Sequence, residues 1–252
     1  MPVPPMDPQV AGAVVADDGR RQFTGIRKVR LGDASPLGRL RLDALTRYTQ
    51  DVSDDDTTDA GLDVEPSWVV RRTAVTVTQW PRLAETLTIT TWCSGLGGRW
   101  AERSLDVVGS DGGRCHAVTL WICVDRASSR PARLTDQFQA IYGPAAGGRT
   151  VKARLHHGEP PDSAPETPWL LRATDHDVYG HVNNAAYWAL AEEWLAADGA
   201  DEAASPREFS VEYRSGLPVG TEPTVRTADT DDGARTAWWC LGDEVAASLR
   251  AG

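Results

Sequence analysis

The stretch DHDVYGHVNN holds the side chains of this sequence that are best suited to acid–base chemistry. Asp175, Asp177 and His181 lie around a Tyr-Gly turn, and Asn183 and Asn184 follow it. The apolar run AAYWALAEEWLAA comes next, so the turn leads into a helix whose first N–H groups carry partial positive charge. The stretch is therefore either a catalytic site at the start of a helix or a polar connection between a strand and a helix.

The residues after this turn predict an amphipathic helix over about 183–198. One face of this helix carries five apolar side chains at the spacing i, i+3, i+4, i+7 and i+8, namely Tyr187, Leu190, Ala191, Trp194 and Leu195. Asn183 or Asn184 can cap its start, and Gly199 can end it. Such a helix has to cover a sheet or pack on another helix.

The same arrangement occurs 142 residues earlier in the chain. The segment VRLGDASPLGRLRLDALTRYTQDV (29–52) aligns without gaps with LRATDHDVYGHVNNAAYWALAEEW (171–194), and both indicate a strand, an Asp/Gly turn and an amphipathic helix. Four aligned positions hold identical residues, which are Arg30 and Arg172, Asp33 and Asp175, Gly38 and Gly180, and Ala44 and Ala186. We infer an internal duplication, with the first helix over about 40–53.

Segments rich in Val, Thr, Ile and Trp follow each helix, as is typical of antiparallel strands. We therefore predict an α+β protein of two like units, each a long helix packed on an antiparallel sheet. Together the units form an internal pseudo-dimer with pseudo-twofold symmetry. The predicted boundaries are a flexible tail at 1–20, a first unit at 21–142, a Gly/Pro-rich linker at 143–168 and a second unit at 169–252.

Composition narrows the class of protein. The net charge of −10 argues against a non-specific nucleic-acid binder, which would carry a basic face. No apolar run approaches the length of a membrane span, so we expect no membrane insertion. The four cysteines lie in apolar segments without metal-ligand spacing, which predicts buried free thiols, no metal site and a reducing, cytoplasmic location.

This order of elements, together with DVYGHVNNAAYW, resembles the hotdog-fold thioesterases, and the tandem form is similar to the plant and bacterial acyl-ACP thioesterases. The matching segments are LRLDALTRYTQDV, WVVRRTAVTV, WPRLAETLTITTW and LWICVDRASSRPARL in the first half, and D-x-D-x-x-G-H-V-N-N-x-x-Y and VEYRSG in the second. The resemblance implies two tandem hotdog units and hydrolysis of a fatty or polyketide-type acyl thioester. It implies no cofactor, and acyl carrier protein or acyl-CoA as the partner that brings the substrate.

The sequence departs from the family pattern at two places. Tyr179 stands where the family typically has Asn, and Ser215, Gly216 and Leu217 stand where it often has Glu or Cys. The motif DxYGHVNN also resembles that of single-hotdog acyl-CoA thioesterases. An acyl-CoA thioesterase and a catalytically inactive acyl-binding protein are therefore alternatives, and association of the chain into a homodimer stays open.

A hotdog dehydratase is a weaker alternative, because that class carries His in an H-x-x-x-G-x-x-x-x-P setting. His116, His156 and His157 do not lie in such a setting.

Under this resemblance the turn supplies the groups that thioester hydrolysis needs. Asp177 is the candidate base or nucleophile, and capping of the turn is its structural alternative. His181 would orient or polarise the thioester or the water, or else serve the structure only. Gly180 would let the backbone approach the substrate closely.

The remaining polar residues of the turn have two interpretations each. We assign Asn183 to the catalytic set and Asn184 to substrate binding. Either residue could hold His181 or the substrate carbonyl, or could cap the helix. Tyr179 could donate its hydroxyl where the family has Asn, or it could only pack. Three further acidic residues are Glu192, Glu193 and Glu212. We expect each of them to be solvated, and contact with the site is the alternative.

The first copy lacks this chemistry. Ser35 and Arg39 align with Asp177 and His181, and Arg41 and Leu42 align with the two Asn residues. We therefore predict one equipped site in the second copy, with the first copy supplying support and part of the acyl pocket.

Two charged segments flank the first helix. SDDDTTDAG is predicted to be a solvated acidic loop after it. RRQFTGIRKVR before it places five basic residues within 20–30. It is either a surface patch for phosphopantetheine, CoA or an acidic carrier protein, or a solvated strand edge.

Overall fold

The computed structural model describes residues 10–16, 19–62, 67–197, 207–230 and 232–252. The strands are β1 (Val10–Val15), β2 (Arg21–Lys28), β3 (Ser67–Gln79), β4 (Thr86–Leu96), β5 (Trp100–Gly109), β6 (Arg114–Val124), β7 (Glu166–Pro168), β8 (Arg207–Tyr213), β9 (Thr224–Asp229), β10 (Arg235–Leu241) and β11 (Glu244–Ala251). The helices are α1 (Leu42–Asp59), α2 (Asp136–Ala146) and α3 (Ala189–Ala197). Short 3-10 turns precede α1 at Leu31–Asp33, and α3 at Ala173–Asp175 and Ala186–Trp188.

The strands form one continuous sheet in the order β1-β2-β4-β5-β6-β3-β8-β11-β10-β9-β7. Its two halves repeat one pattern, since β2-β4-β5-β6-β3 in the first copy corresponds to β7-β9-β10-β11-β8 in the second. β3 and β8 join the halves as an antiparallel pair, in which Ala74 lies opposite Ser210. The predicted fold class of two tandem hotdog units is confirmed.

One apolar core lies between the sheet and the helices α1 and α3. Alternate residues of β4, such as Leu87 and Ile89, are fully buried because successive side chains of a strand point to opposite faces. Leu45 of α1 and Trp188 before α3 are also buried. Because this core contains residues of both copies, the two units share one interior.

Helix α1 is longer than predicted and includes most of the acidic segment that was expected to be a loop. Asp56 is only 1% exposed and accepts hydrogen bonds from Arg21 (Nε to Oδ1, 2.8 Å), Tyr142 (hydroxyl to Oδ2, 2.9 Å) and Arg103. Arg27 of β2 pairs with Asp55 at 2.7 Å. The prediction of a solvated loop is wrong because two basic residues of the 20–30 segment neutralise the acidic run and hold it against the sheet.

Three predicted boundaries also differ from the structure. Val10–Val15 of the expected tail pair with β2 as a strand, while residues 1–9 and 17–18 lie outside the described residues. Helix α2 crosses the predicted start of the linker at 143, and β7 lies inside the predicted linker. Thr135 caps the start of α2 by accepting the N–H of Phe138. The Gly and Pro residues of the segment had led to the prediction of a linker instead.

The second long helix begins as a 3-10 turn and continues as α3. Its predicted end at 198 and the expected cap Gly199 lie outside the described residues. All four cysteines are buried as free thiols, as predicted. Among the described residues, no helix is both long and apolar enough to cross a membrane.

Candidate active site

The turn of the second copy is a small backbone hairpin. The N–H of Asp177 donates to the carbonyl of His181 at 2.9 Å, and the N–H of Gly180 donates to the carbonyl of Asp177 at 3.1 Å. Gly180 has a φ of 75°, a left-handed conformation that glycine adopts without strain. The hairpin therefore places the carboxylate of Asp177 and the imidazole of His181 at its two ends.

The first copy builds the same hairpin from other side chains. The N–H of Ser35 donates to the carbonyl of Arg39 at 2.7 Å, the N–H of Gly38 donates to the carbonyl of Ser35 at 2.9 Å, and Gly38 has a φ of 88°. These two backbone hydrogen bonds therefore occur in both copies, at positions that are 142 residues apart. Only the side chains distinguish the two turns.

Residues after β8 hold the turn of the second copy from the other side. The N–H of Val182 donates to the carbonyl of Leu217 at 2.9 Å, and the N–H of Val219 donates to the carbonyl of Gly180 at 3.1 Å. The turn is therefore bonded on both sides of His181 to the loop between β8 and β9.

Asp177 caps the turn, and its role as base or nucleophile stays a prediction. Its Oδ1 accepts the N–H of Tyr179 at 2.9 Å, which is the turn-capping bond. Within the described residues its Oδ2 makes no hydrogen bond, so this oxygen is free to meet a water or a substrate. The side chain of Tyr179 is 78% exposed, which does not fit the packing alternative for that residue.

His181 is exposed, and its ring lies directly over Gly216. A Cβ atom at position 216 would lie 2.6 Å from the ring Cδ2, which is closer than such atoms approach. The departure from the family pattern at Gly216 therefore makes room for the imidazole. This glycine is visible in the sequence, but its contact with His181 is not.

The two Asn residues have different surroundings. The Oδ1 of Asn183 accepts the N–H of Ala185 at 2.9 Å, which forms an Asx turn just before the 3-10 turn that begins at Ala186 and does not cap it. The backbone carbonyl of Asn184 accepts the hydroxyl of Tyr213 at 2.8 Å, and Trp188 donates its Nε1–H to that hydroxyl at 3.2 Å. The assigned roles of Asn183 in catalysis and Asn184 in substrate binding stay predictions.

Tyr187 is a further residue of the site, which the sequence analysis placed in the apolar stripe. It is 3% exposed, and burial raises the pKa of its hydroxyl. The Leu217 backbone lowers that pKa and the charge of the Asp177 carboxylate raises it. Its place as the last residue of the N-x-x-Y motif was the signal that could have found it.

Glu192 does not lie at the turn of its own copy. It reaches across to the first copy, where its carboxylate accepts two hydrogen bonds from Arg39 (3.1 and 2.8 Å) and one from the N–H of Leu42 (2.7 Å). Arg39 is 2% exposed and stacks on Trp80, with its guanidinium carbon 4.6 Å from the ring centroid. Where the second copy has an exposed imidazole, the first copy therefore has a buried ion pair.

Glu212 is also structural. It is fully buried and its carboxylate accepts the backbone N–H groups of His156 (2.6 Å) and His157 (3.0 Å). It thereby holds the segment between the copies against the outer face of the second sheet.

Comparisons with known proteins agree with this architecture. The family model of the acyl-ACP thioesterase N-terminal domain matches residues 21–142, and that of the acyl-ACP thioesterase C-terminal domain matches residues 158–239. An uncharacterised protein of Mycobacterium tuberculosis is 36% identical over 211 residues, which cover 83% of this chain and 83% of that protein.

Two solved structures illustrate the shared fold. The 12:0-ACP thioesterase from Umbellularia californica has a TM-score of 0.74 at 20% identity and covers 91% of this chain and 96% of its own. An acyl-ACP thioesterase from Bacteroides thetaiotaomicron has a TM-score of 0.78 at 16% identity, with the same coverage of 91% and 96%.

Proposed function

Because the chain belongs to the acyl-ACP thioesterase family, we propose that it hydrolyses a fatty or polyketide-type acyl thioester of acyl carrier protein, releasing the free acid and the carrier thiol. Acyl thioester hydrolysis is the activity that the family supports. The observation that carries the proposal is the hairpin that places Asp177 and His181 at the start of a helix, whereas Ser35 and Arg39 occupy the aligned positions.

In the proposed reaction Asp177 takes a proton from water, and the water oxygen attacks the thioester carbonyl. The C–S bond then breaks, the acyl group leaves as the acid, and the proton passes from Asp177 to the thiolate. His181 and the N–H groups at the start of the helix would donate to the carbonyl oxygen as negative charge develops on it. Direct attack by the carboxylate, forming an anhydride that water opens, uses the same residues.

The test of the carrier is thiol release from acyl-ACP and acyl-CoA that bear the same acyl group. We expect release without added metal or nucleotide, and a higher kcat/KM for acyl-ACP. A higher kcat/KM for acyl-CoA would favour the acyl-CoA thioesterase alternative. Saturable binding with no thiol release from either substrate would favour the inactive acyl-binding protein.

The test of the site is a matched pair of substitutions. Asp177→Asn should lower kcat by about a hundredfold or more, the scale of losing a general base. Ser35→Ala changes the aligned position of the first copy and should leave kcat nearly unchanged. Equal losses in two folded variants would contradict a single site in the second copy.

A further inference from the structure

A cavity of about 390 Å³ lies between the segment 156–161 and the sheet of the second copy. Ser210 of β8 lines it, whereas the neighbouring Phe209 belongs to the apolar core under the helices. Because successive side chains of a strand point to opposite faces, the cavity lies on the outer face of the sheet. Neither Asp177 nor His181 lines it, so it is separate from the candidate active site.

His157 lies over this outer face and is held there by bonds to the strands. The buried carboxylate of Glu212 accepts the N–H groups of His156 (2.6 Å) and His157 (3.0 Å). The Nε1–H of Trp238 donates to the carbonyl of Gly158 at 2.8 Å. The backbone on both sides of the His157 side chain is therefore fixed, and so is the position of its imidazole.

The imidazole of His157 joins two serine hydroxyls. Its Nε2 lies 2.9 Å from Oγ of Ser210, and its Nδ1 lies 2.8 Å from Oγ of Ser248. The Glu212 carboxylate is 3.9 Å from Nδ1, and its negative charge favours the proton on that nitrogen. The Nδ1–H therefore donates to Ser248, and Nε2 accepts the hydroxyl of Ser210. Burial lowers the pKa of His157, so the imidazole is neutral at neutral pH and can accept a proton.

A row of cross-strand neighbours forms the floor of the cavity. Arg250 of β11 lies directly opposite Ser210 of β8 on one side and Thr236 of β10 on the other. Directly opposite residues have Cβ atoms about 5 Å apart, so Thr236 lies about 10 Å from Ser210. Thr236 is 2% exposed, and its hydroxyl has no hydrogen-bond partner among the described residues. A ligand oxygen in the cavity would satisfy this hydroxyl.

We propose that Ser210 is the nucleophile of a second hydrolytic site, with His157 as its base, and that this site takes a small carboxylic ester. A nucleophile within hydrogen-bond reach of a base that a third group orients is the arrangement of covalent catalysis. Ser210, His157 and Ser248 have this arrangement. The ester is small because the cavity is near the lower end of the range for ligand pockets, about 300–1,000 Å³. A polar group at the far end of the ester meets Thr236.

The reaction has two steps. Oγ of Ser210 attacks the ester carbonyl while its proton passes to Nε2 of His157. The C–O bond to the alcohol then breaks, and the alcohol leaves with that proton, so the acyl group stays on Ser210. Water attacks this acyl group and gives a proton to Nε2. The bond to Oγ breaks, the acid leaves, and the proton returns to Oγ.

Arg250 stabilises the negative charge that develops on the carbonyl oxygen in both steps. Its guanidinium already donates to Oγ1 of Thr230 (3.3 Å) and to Asp232. A guanidinium has five N–H donors, so others remain for a substrate.

The test is reaction with a fluorophosphonate, which phosphonylates activated serines with loss of fluoride. We expect one adduct per chain, located on Ser210 by peptide mass spectrometry. Ser210→Ala should remove this adduct, and His157→Gln should slow its formation by about a hundredfold or more. Ser128→Ala, at an exposed serine whose hydroxyl contacts Asp125 (2.7 Å) instead of an imidazole, should react as wild type does.

A second measurement separates this site from the proposed thioesterase site. Asp177→Asn should keep both the fluorophosphonate reaction and the hydrolysis of p-nitrophenyl acetate. Adding Ser210→Ala to Asp177→Asn should lower that hydrolysis to the uncatalysed rate.

The adduct on wild-type protein decides the inference without any variant. No adduct, or an adduct on other residues only, overturns it. Equal rates of reaction in wild type and folded His157→Gln also overturn it, because Ser210 would then react without its base.

Discussion

The contact between His181 and Gly216 shows how one residue without a side chain can permit the placement of another. The imidazole occupies the space that a Cβ atom at position 216 would need. Any residue with a Cβ atom at this position would displace the ring.

Gly216→Ala should therefore lower kcat by about tenfold or more, because displacing the ring removes a donor that is used in the transition state. His181→Ala should also lower kcat with little change in KM, since the contact strengthens as charge develops. Steady-state kinetics and thermal unfolding of both variants measure this. Gly158→Ala, at a glycine with open space around it, is the control. Full activity in Gly216→Ala, together with a loss in His181→Ala, would show that the ring position does not depend on Gly216.

At the scale of elements, the last turns of α1 depend on charge pairing and not on helix propensity. The run SDDDTTD is a poor helix former in isolation, since Ser, Asp and Thr favour caps and turns. Arg21 and Arg103 each donate to Asp56, and Tyr142 of α2 donates to the same carboxylate. This one carboxylate therefore joins α1, α2, β2 and β5.

Asp56→Asn should lower the free energy of unfolding by about 3–5 kcal/mol, because it leaves the buried guanidinium of Arg103 without its anion and removes one of the two carboxylates that pair with Arg21. Asp54→Asn is the matched control on an exposed face of the same helix, and it should change stability by less than about 0.5 kcal/mol. Urea denaturation of the purified variants measures the difference. Similar stabilities for the two variants would mean that the cluster does not hold the end of α1.

At the scale of the whole molecule, the segment between the copies is part of the packed structure. His157 lies between Ser210 (Nε2 to Oγ, 2.9 Å) and Ser248 (Nδ1 to Oγ, 2.8 Å), and its side chain is 3% exposed. Burial lowers the pKa of His157, an effect that the nearby Glu212 carboxylate opposes. The docked segment therefore favours the neutral imidazole.

Acid should loosen this docking. Above about pH 6.5, the usual histidine pKa, His157 is neutral in both the folded and the unfolded chain. As the pH falls below that value, the unfolded chain binds a proton that the folded chain resists, so stability falls. The loss of Tm between pH 7.5 and about 5.5 should be smaller in His157→Gln than in wild type, while the exposed His156→Gln should behave as wild type. An identical pH slope in all three proteins would refute the assignment.

The sequence by itself determined the duplication, the fold class and the turn that carries the candidate chemistry. These features depend on local patterns, such as the spacing of apolar residues on a helix, the glycine that a left-handed turn requires and the offset of 142 residues. The start of each long helix was predicted to within a few residues for the same reason. The end of α1 and the existence of α2 could not be predicted, because both depend on partners that are distant in the chain.

Only the tertiary structure decided what the side chains around the turn contact. It placed Gly216 beneath His181, and Glu192 on Arg39 of the other copy, across 153 residues of sequence. It also showed that Arg47 and Tyr48 of α1 both donate to Asp33 of the turn in the first copy. The physical reason is that hydrogen bonds, ion pairs and steric contacts act over a few ångströms in space, at any separation along the chain.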